Sequence, residues 1–126
     1  MPAPHLTLKE MCAKFDVTPR TLRHYEYIEL LFPERRGRSR IYGPREIARM
    51  TLILRGRHFG FSLEEIRQWL ELYDADPENR VQMEAWIELA DRQLAELESR
   101  KAQIQDAIDD LRKLRDHTAD SHDRKP

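Results

Sequence analysis

The sequence predicts an all-α chain in two parts, a small bundle of short capped helices followed by one long helix with no domain behind it. Three observations carry this. Helix-start signatures recur at Thr7, Thr18, Gly43-Pro44, Ser62 and Asp76-Pro77. From Glu78 to Arg115 there is neither proline nor glycine. Charge divides the same way: residues 1–60 hold 12 Lys and Arg against 6 Asp and Glu, net +6, and residues 61–126 are net −7. The overall charge of −1 hides that split.

At 126 residues the chain is one small domain with an extension. The hydrophobic fraction of 40% against 36% charged predicts a lean core under an ionic surface. Cys12 is the one cysteine, so no intrachain disulfide forms and a reducing compartment is expected. The N-terminal MPAPHLTLKE lacks the pattern of a signal peptide, and no apolar run approaches membrane-spanning length. A soluble, cytoplasmic protein without membrane partners is the expectation.

Thr7-Leu8-Lys9-Glu10 reads as a capping box, opening a helix whose stripe is Leu8, Met11, Cys12 and Phe15. Asp16-Val17 then leaves room only for a tight turn before Thr18, an N-cap, and Pro19, suited to the first helical position. Two short helices joined so closely form a helix-turn-helix candidate. On the second helix Arg20, Arg23, His24 and Tyr27 fall at i, i+3, i+4 and i+7, while Leu22 and Tyr25 point to the opposite side. A helix anchored on one side and basic on the other is what a reader of the DNA major groove needs; an ordinary solvated surface helix has the same look. Pro33 forbids that helix to continue.

Residues 34–43, ERRGRSRIYG, carry four arginines and two glycines, which suits an exposed hairpin or "wing", or alternatively a basic linker. Gly43-Pro44 starts a third helix with Ile47, Met50, Ile53 and Leu54 inward, closing near Gly60. Ser62 and Glu65 form a second capping box, with Phe61 and Ile66 placed for a hydrophobic staple. This fourth helix runs to about Tyr73 and buries Ile66, Trp69 and Leu70. Asp76-Pro77 begins the last one.

With Ile87 at heptad position a, Ala90, Leu94, Leu97, Lys101, Ile104, Ile108 and Leu111 continue an a/d seam with one polar break at Lys101. The rest of the chain is too small to cover it. A second copy is the economical partner, against a helix folded back on its own domain. The expected organisation is a DNA-binding domain over residues 1–76, a coiled-coil dimerisation helix over 77–116 and a disordered polar tail over 117–126.

RTLRHYE, an arginine-rich wing ending Arg40-Ile41-Tyr42, GFSLEEI, and then a long coiled-coil helix together resemble the MerR family of bacterial transcription regulators. The resemblance covers about residues 6–73 in sequence and reaches about residue 115 in architecture. It implies a winged helix-turn-helix with an antiparallel coiled-coil homodimer. It also implies a palindromic operator in a promoter whose overlong spacer is bent and untwisted so that RNA polymerase engages both elements. Position by position, it places Arg20, Thr21, Arg23, His24 and Tyr25 at bases and phosphates. Arg38, Arg40 and Tyr42 are DNA-binding candidates of the wing, Arg40 and Tyr42 at positions near the DNA backbone or minor groove, and Arg57 reaches a phosphate before the Phe-Gly turn. Two departures stand out: His24 where the family usually has tyrosine, and Glu29 where it often has glycine.

Metal-sensing relatives carry cysteines near the end of the long helix, and this chain has none there. His117, Asp120, His122 and Asp123 could be drawn as ligands, but a polar tail accounts for them, so no metal and no cofactor are expected. The FGFSLEEI…LYD junction and short C-terminus are similar to regulators of branched-chain amino-acid and fatty-acid breakdown. A small effector of unknown identity would sit near Trp69, Tyr73 and Trp86, aromatics that serve equally as core. The rival without DNA is a coiled-coil interaction module whose basic half binds an acidic protein. An enzyme is not expected: no nucleophile–base pair, metal cluster or phosphate-cradling loop is present.

Overall fold

The computed structural model describes residues 5–74 and 80–124. The chain divides into two compact units, Met1–Met83 and Glu84–Pro126. In the first, the elements run β1 (Leu6–Thr7), α1 (Leu8–Phe15), α2 (Pro19–Tyr27), β2 (Glu34–Arg36), β3 (Ser39–Tyr42), α3 (Pro44–His58) and α4 (Leu63–Asp74). The second is built on α5 (Arg80–Asp123).

The helix starts form as their local chemistry dictates. Thr7 accepts from the Glu10 amide at 3.2 Å while Glu10 accepts from the Thr7 amide at 3.0 Å, a complete capping box. Ser62 and Glu65 repeat it at 3.1 and 2.9 Å. Asp16 ends α1 in the left-handed region at φ 52°, which aspartate tolerates, and the amides of Asp16 and Val17 both return to the Cys12 carbonyl. That closes the turn into α2. Gly60, at φ 83°, gives the left-handed step after α3.

The hairpin β2–β3 turns at Gly37, φ 65°, with Arg35 opposite Arg40 and Arg36 opposite Ser39. The sequence did not suggest β1. It pairs antiparallel with β3, Leu6 opposite Tyr42 and Thr7 opposite Ile41, making a three-stranded sheet in the order β1-β3-β2. A two-residue strand has no readable period of its own, but it ties the wing to the start of α1.

The core gathers Met11, Leu22, Leu30, Leu31, Tyr42, Met50, Ile53, Ile66 and Leu70, all fully enclosed. Gly56 of α3 is packed so closely on α4 that an added Cβ would stand 2.7 Å from Ile66 Cγ1. Phe59, Phe61 and Trp69 pack edge-on or tilted beside it, with ring centroids 6.0–6.4 Å apart.

Helix α2 stops sooner than Pro33 alone requires. Its last residue is Tyr27, and Glu29 takes a left-handed φ of 63°. The chain after it is held by charged side chains from α3 and α4. Buried Glu46 accepts from the Phe32 amide at 2.9 Å, buried Arg49 donates to the Leu30 carbonyl at 2.9 Å, and Arg67 donates to the carbonyls of Ile28 and Glu29. These bonds satisfy backbone groups that the early helix end leaves open.

Helix α5 is 44 residues, roughly 66 Å at 1.5 Å per residue. It corrects the expected disordered tail, because residues 117–123 continue the helix. No glycine or proline interrupts it there, and the Thr118 hydroxyl and Arg124 amide donate to the Leu114 and Asp120 carbonyls four residues back. The expected helix start at Asp76-Pro77 and the Tyr73 side chain lie outside the described residues.

Candidate nucleic-acid interface

The reading face is made by the way α2 divides its side chains. Thr18 caps the helix, accepting from the Thr21 amide at 3.1 Å, and its hydroxyl lies 3.0 Å from that of Thr21. Pro19 occupies the first turn without wasting a donor. Leu22 and Tyr25 are buried, which fixes the rotation of the helix and leaves Arg20, Arg23, His24 and Tyr27 exposed together. Tyr27, at 85% exposure, extends this face by one further turn.

The nine candidate residues fall into three groups. Arg20, Arg23 and His24 on α2, Arg38 at the wing tip and Arg57 in the last turn of α3 are exposed. Among the described residues, no ion pair engages the four arginines. Arg55, Arg57 and His58 crowd the C-terminal end of α3, where the helix dipole favours positive charge. Thr21 is half-buried and engaged with the Thr18 cap.

The remaining three are buried or held by a neighbour. Tyr42 is fully enclosed and belongs to the core. Its hydroxyl has no hydrogen-bond partner among the described residues; burial first, and then the Glu26 carboxylate, push the phenol above its ordinary pKa. Tyr25, 7% exposed, packs its ring in the core. Alternate inward and outward placement along β3 explains Tyr42: it follows Ile41 and pairs with Leu6 at the sheet's inner strand. Arg40 is taken by a neighbour, its Nε donating to Glu26 Oε2 at 2.6 Å.

Glu26 is the residue that sequence reasoning passed over. It sits on α2 and accepts from Arg35 of β2 at 2.8 Å as well as from Arg40 of β3. Partial burial pushes its carboxyl pKa upward, but the hydrogen bonds and charges of Arg40 and Arg35 outweigh this and hold it below the ordinary carboxylate value. The readable signal was a carboxylate three residues after Arg23 on the same helix and a hairpin with too many like charges.

In the second unit, the a/d positions are open. Ile87, Leu94, Leu97, Ile104, Ile108 and Leu111 are exposed, Ile104 to 61% and Leu111 to 67%. Lys101 is exposed among them, Ala90 is half-buried, and Leu114 adds one more exposed apolar side chain. Of the proposed effector aromatics, Trp69 belongs to the α3–α4 cluster and Trp86 is half-buried in α5. Among the described residues no group of three His, Cys, Asp or Glu side chains converges as a metal site would, and no helix is long and apolar enough to cross a membrane.

This arrangement has known counterparts. A family model described as MerR HTH family regulatory protein matches residues 6–72, and one described as MerR, DNA binding matches residues 47–114. The HTH-type transcriptional regulator ZntR of Escherichia coli strain K12 is 35% identical over 109 residues, covering 85% of this chain and 76% of its own. Heavy metal-dependent transcription regulator 1 of Rhizobium meliloti is 33% identical over 103 residues, 80% of this chain and 68% of the relative. Among solved structures, the transcription regulator PbrR691 from Ralstonia metallidurans CH34, in complex with lead(II), aligns with a TM-score of 0.68 at 28% identity, covering 87% and 85% of the two chains. HiNmlR, a regulator lacking the sensor domain and bound to promoter DNA, aligns at 0.63 and 20% identity over 84% and 80%, a likeness of fold alone.

Proposed function

The chain belongs to the MerR family of helix-turn-helix regulators, and from that premise we propose that it grips a palindromic promoter operator as a homodimer. It is a DNA-binding transcriptional regulator, not an enzyme, and it works in the cytoplasm. The observation that carries the reading is the division of α2: Leu22 and Tyr25 are locked in the core, which presents Arg20, Arg23 and His24 outward on a capped, rigid helix.

Each face has a distinct task. Arg20, Arg23 and His24 reach base edges and flanking phosphates in the major groove, Arg23 with the bidentate fork that suits guanine. Arg38 at the wing tip and Arg57 at the end of α3 clamp phosphates on either side, which sets register without reading sequence. The exposed seam of α5 joins two copies in an antiparallel coiled coil. Fully burying its six large apolar side chains contributes on the order of 10 kcal/mol per chain before ordering costs. Pairing fixes the separation of the two reading helices and so the spacing of the half-sites. Where that spacing disagrees with relaxed DNA, binding bends and untwists the spacer, and RNA polymerase meets promoter elements in altered register.

Operator sequences recovered by in vitro selection with the intact chain supply the test. Arg23→Ala should weaken operator binding by roughly 10- to 100-fold while leaving random-sequence binding nearly unchanged. Arg57→Ala should weaken both and reduce the slope of log K against log salt by about one phosphate equivalent. Binding indifferent to salt and to Arg23 would end the proposal.

A further inference from the structure

Two wing arginines face each other across the hairpin, Arg35 of β2 opposite Arg40 of β3. Like charges directly opposite on neighbouring strands repel, so this pair should splay the hairpin if nothing lay between. Glu26 lies between. One of its oxygens accepts from Arg35 Nη2 at 2.8 Å and the other from Arg40 Nε at 2.6 Å. A single carboxylate on the reading helix therefore bridges both strands of the wing.

The two arms differ. The Glu26 side chain is 22% exposed and that of Arg40 19%, so their short pair is shielded from solvent and salt. Arg35 is 55% exposed, so its bond to Glu26 is open to competition from another anion. On α2, Glu26 lies three residues after Arg23, and both strands it holds belong to the element that presents Arg38.

We propose that Glu26 is a positioning residue for operator binding, latching the wing to the reading helix through Arg40 so that Arg38 and the α2 arginines meet DNA in one fixed geometry. The inference rests on the DNA-binding reading above. Glu26 itself touches no DNA, since a carboxylate at a phosphate would be repelled. Its effect is on discrimination. A wing held at one angle accepts only DNA whose groove and backbone fit both elements together, whereas a loosened wing keeps its cations and binds indiscriminately. Arg40 spends its charge on this latch, which is why it differs from Arg38.

The test is a double-mutant cycle on the full-length chain, using a selected operator duplex and a random-sequence duplex. Glu26→Gln should lower operator affinity roughly tenfold and leave random-duplex affinity equal or higher. The salt slope should steepen by about one phosphate equivalent, because Arg35 is released to the DNA. In an Arg40→Gln background, Glu26→Gln should cause no further loss of operator affinity. Retained random-duplex binding and an unchanged helical circular dichroism spectrum show that the variants fold. Operator binding by Glu26→Gln equal to the parent, or losses that simply add in the double variant, would overturn the latch. So would equal loss on both duplexes, the mark of a merely structural role. If the parent chain selects no operator at all, the DNA-reading proposal fails and not the latch alone.

Discussion

The N-terminal unit and the long helix α5 have the same kind of amphipathic pattern and opposite fates for it. In the first, Leu22, Leu30, Leu31, Met50, Ile53, Ile66 and Leu70 are fully enclosed, and even charged Glu46 and Arg49 are buried because they hold the backbone after α2. In α5, isoleucines and leucines at heptad spacing stand in the open at 38–67% exposure. The first region finds its cover within the chain. A seam roughly 36 Å long at 1.5 Å per residue does not, because among the described residues no second element has the length to lie along it. A buried stripe belongs to a finished fold, whereas the exposed one of the same period is, in the function proposed above, half of an interface.

That contrast can be broken most sharply at the seam. Ile104→Lys with Leu111→Lys should weaken self-association at least 100-fold, about 3 kcal/mol, by sedimentation equilibrium, while the cooperative melting of the N-terminal unit persists. A double variant that stays dimeric would show that the seam is not the interface. Inside the first region the reverse holds. Gly56→Ala should cost about 1–3 kcal/mol in urea unfolding, because the new methyl meets Ile66 at 2.7 Å, and should leave association unchanged.

Tyr42→Phe sharpens the line between core and interface. It removes a buried hydroxyl that lacks a partner, so stability should rise by about 1 kcal/mol with operator affinity unaltered. Weaker binding would return Tyr42 to the interface. The smallest effect is expected at Glu29→Gly, a gain of up to about 1 kcal/mol from relieving the left-handed strain at φ 63°, set against the greater freedom of glycine when unfolded. Loss of stability there would mean that the Glu29 side chain contributes more than its backbone costs.

Much of this architecture is legible residue by residue, because its signals are local. The capping boxes at Thr7–Glu10 and Ser62–Glu65 close within three positions, and Gly60 marks a helix end by its own backbone freedom. The division of α2 is equally readable, since Leu22 and Tyr25 sit opposite Arg20, Arg23 and His24 on any helix. What escaped was non-local. β1 exists only because β3 is there to pair with it, and Tyr42 resembles an interface tyrosine until the sheet turns it inward. Continuation of α5 through residues 117–123 differs in kind: the stretch is polar, which suits disorder as well as a solvated helix, and no residue in it breaks a helix.

By itself, then, the sequence determined where the first four helices begin, which side of each is apolar, and that an apolar heptad seam runs along the last. These follow from backbone hydrogen bonding and side-chain period, which act over a few residues. Only the tertiary structure decided which charges are free to meet a ligand. Arg38 and Arg40 are two residues apart in one arginine-rich run, yet one stands exposed at the wing tip and the other is bound to Glu26, 14 residues earlier. A charge's availability depends on what folding brings within about 3 Å of it, and no local pattern records that distance.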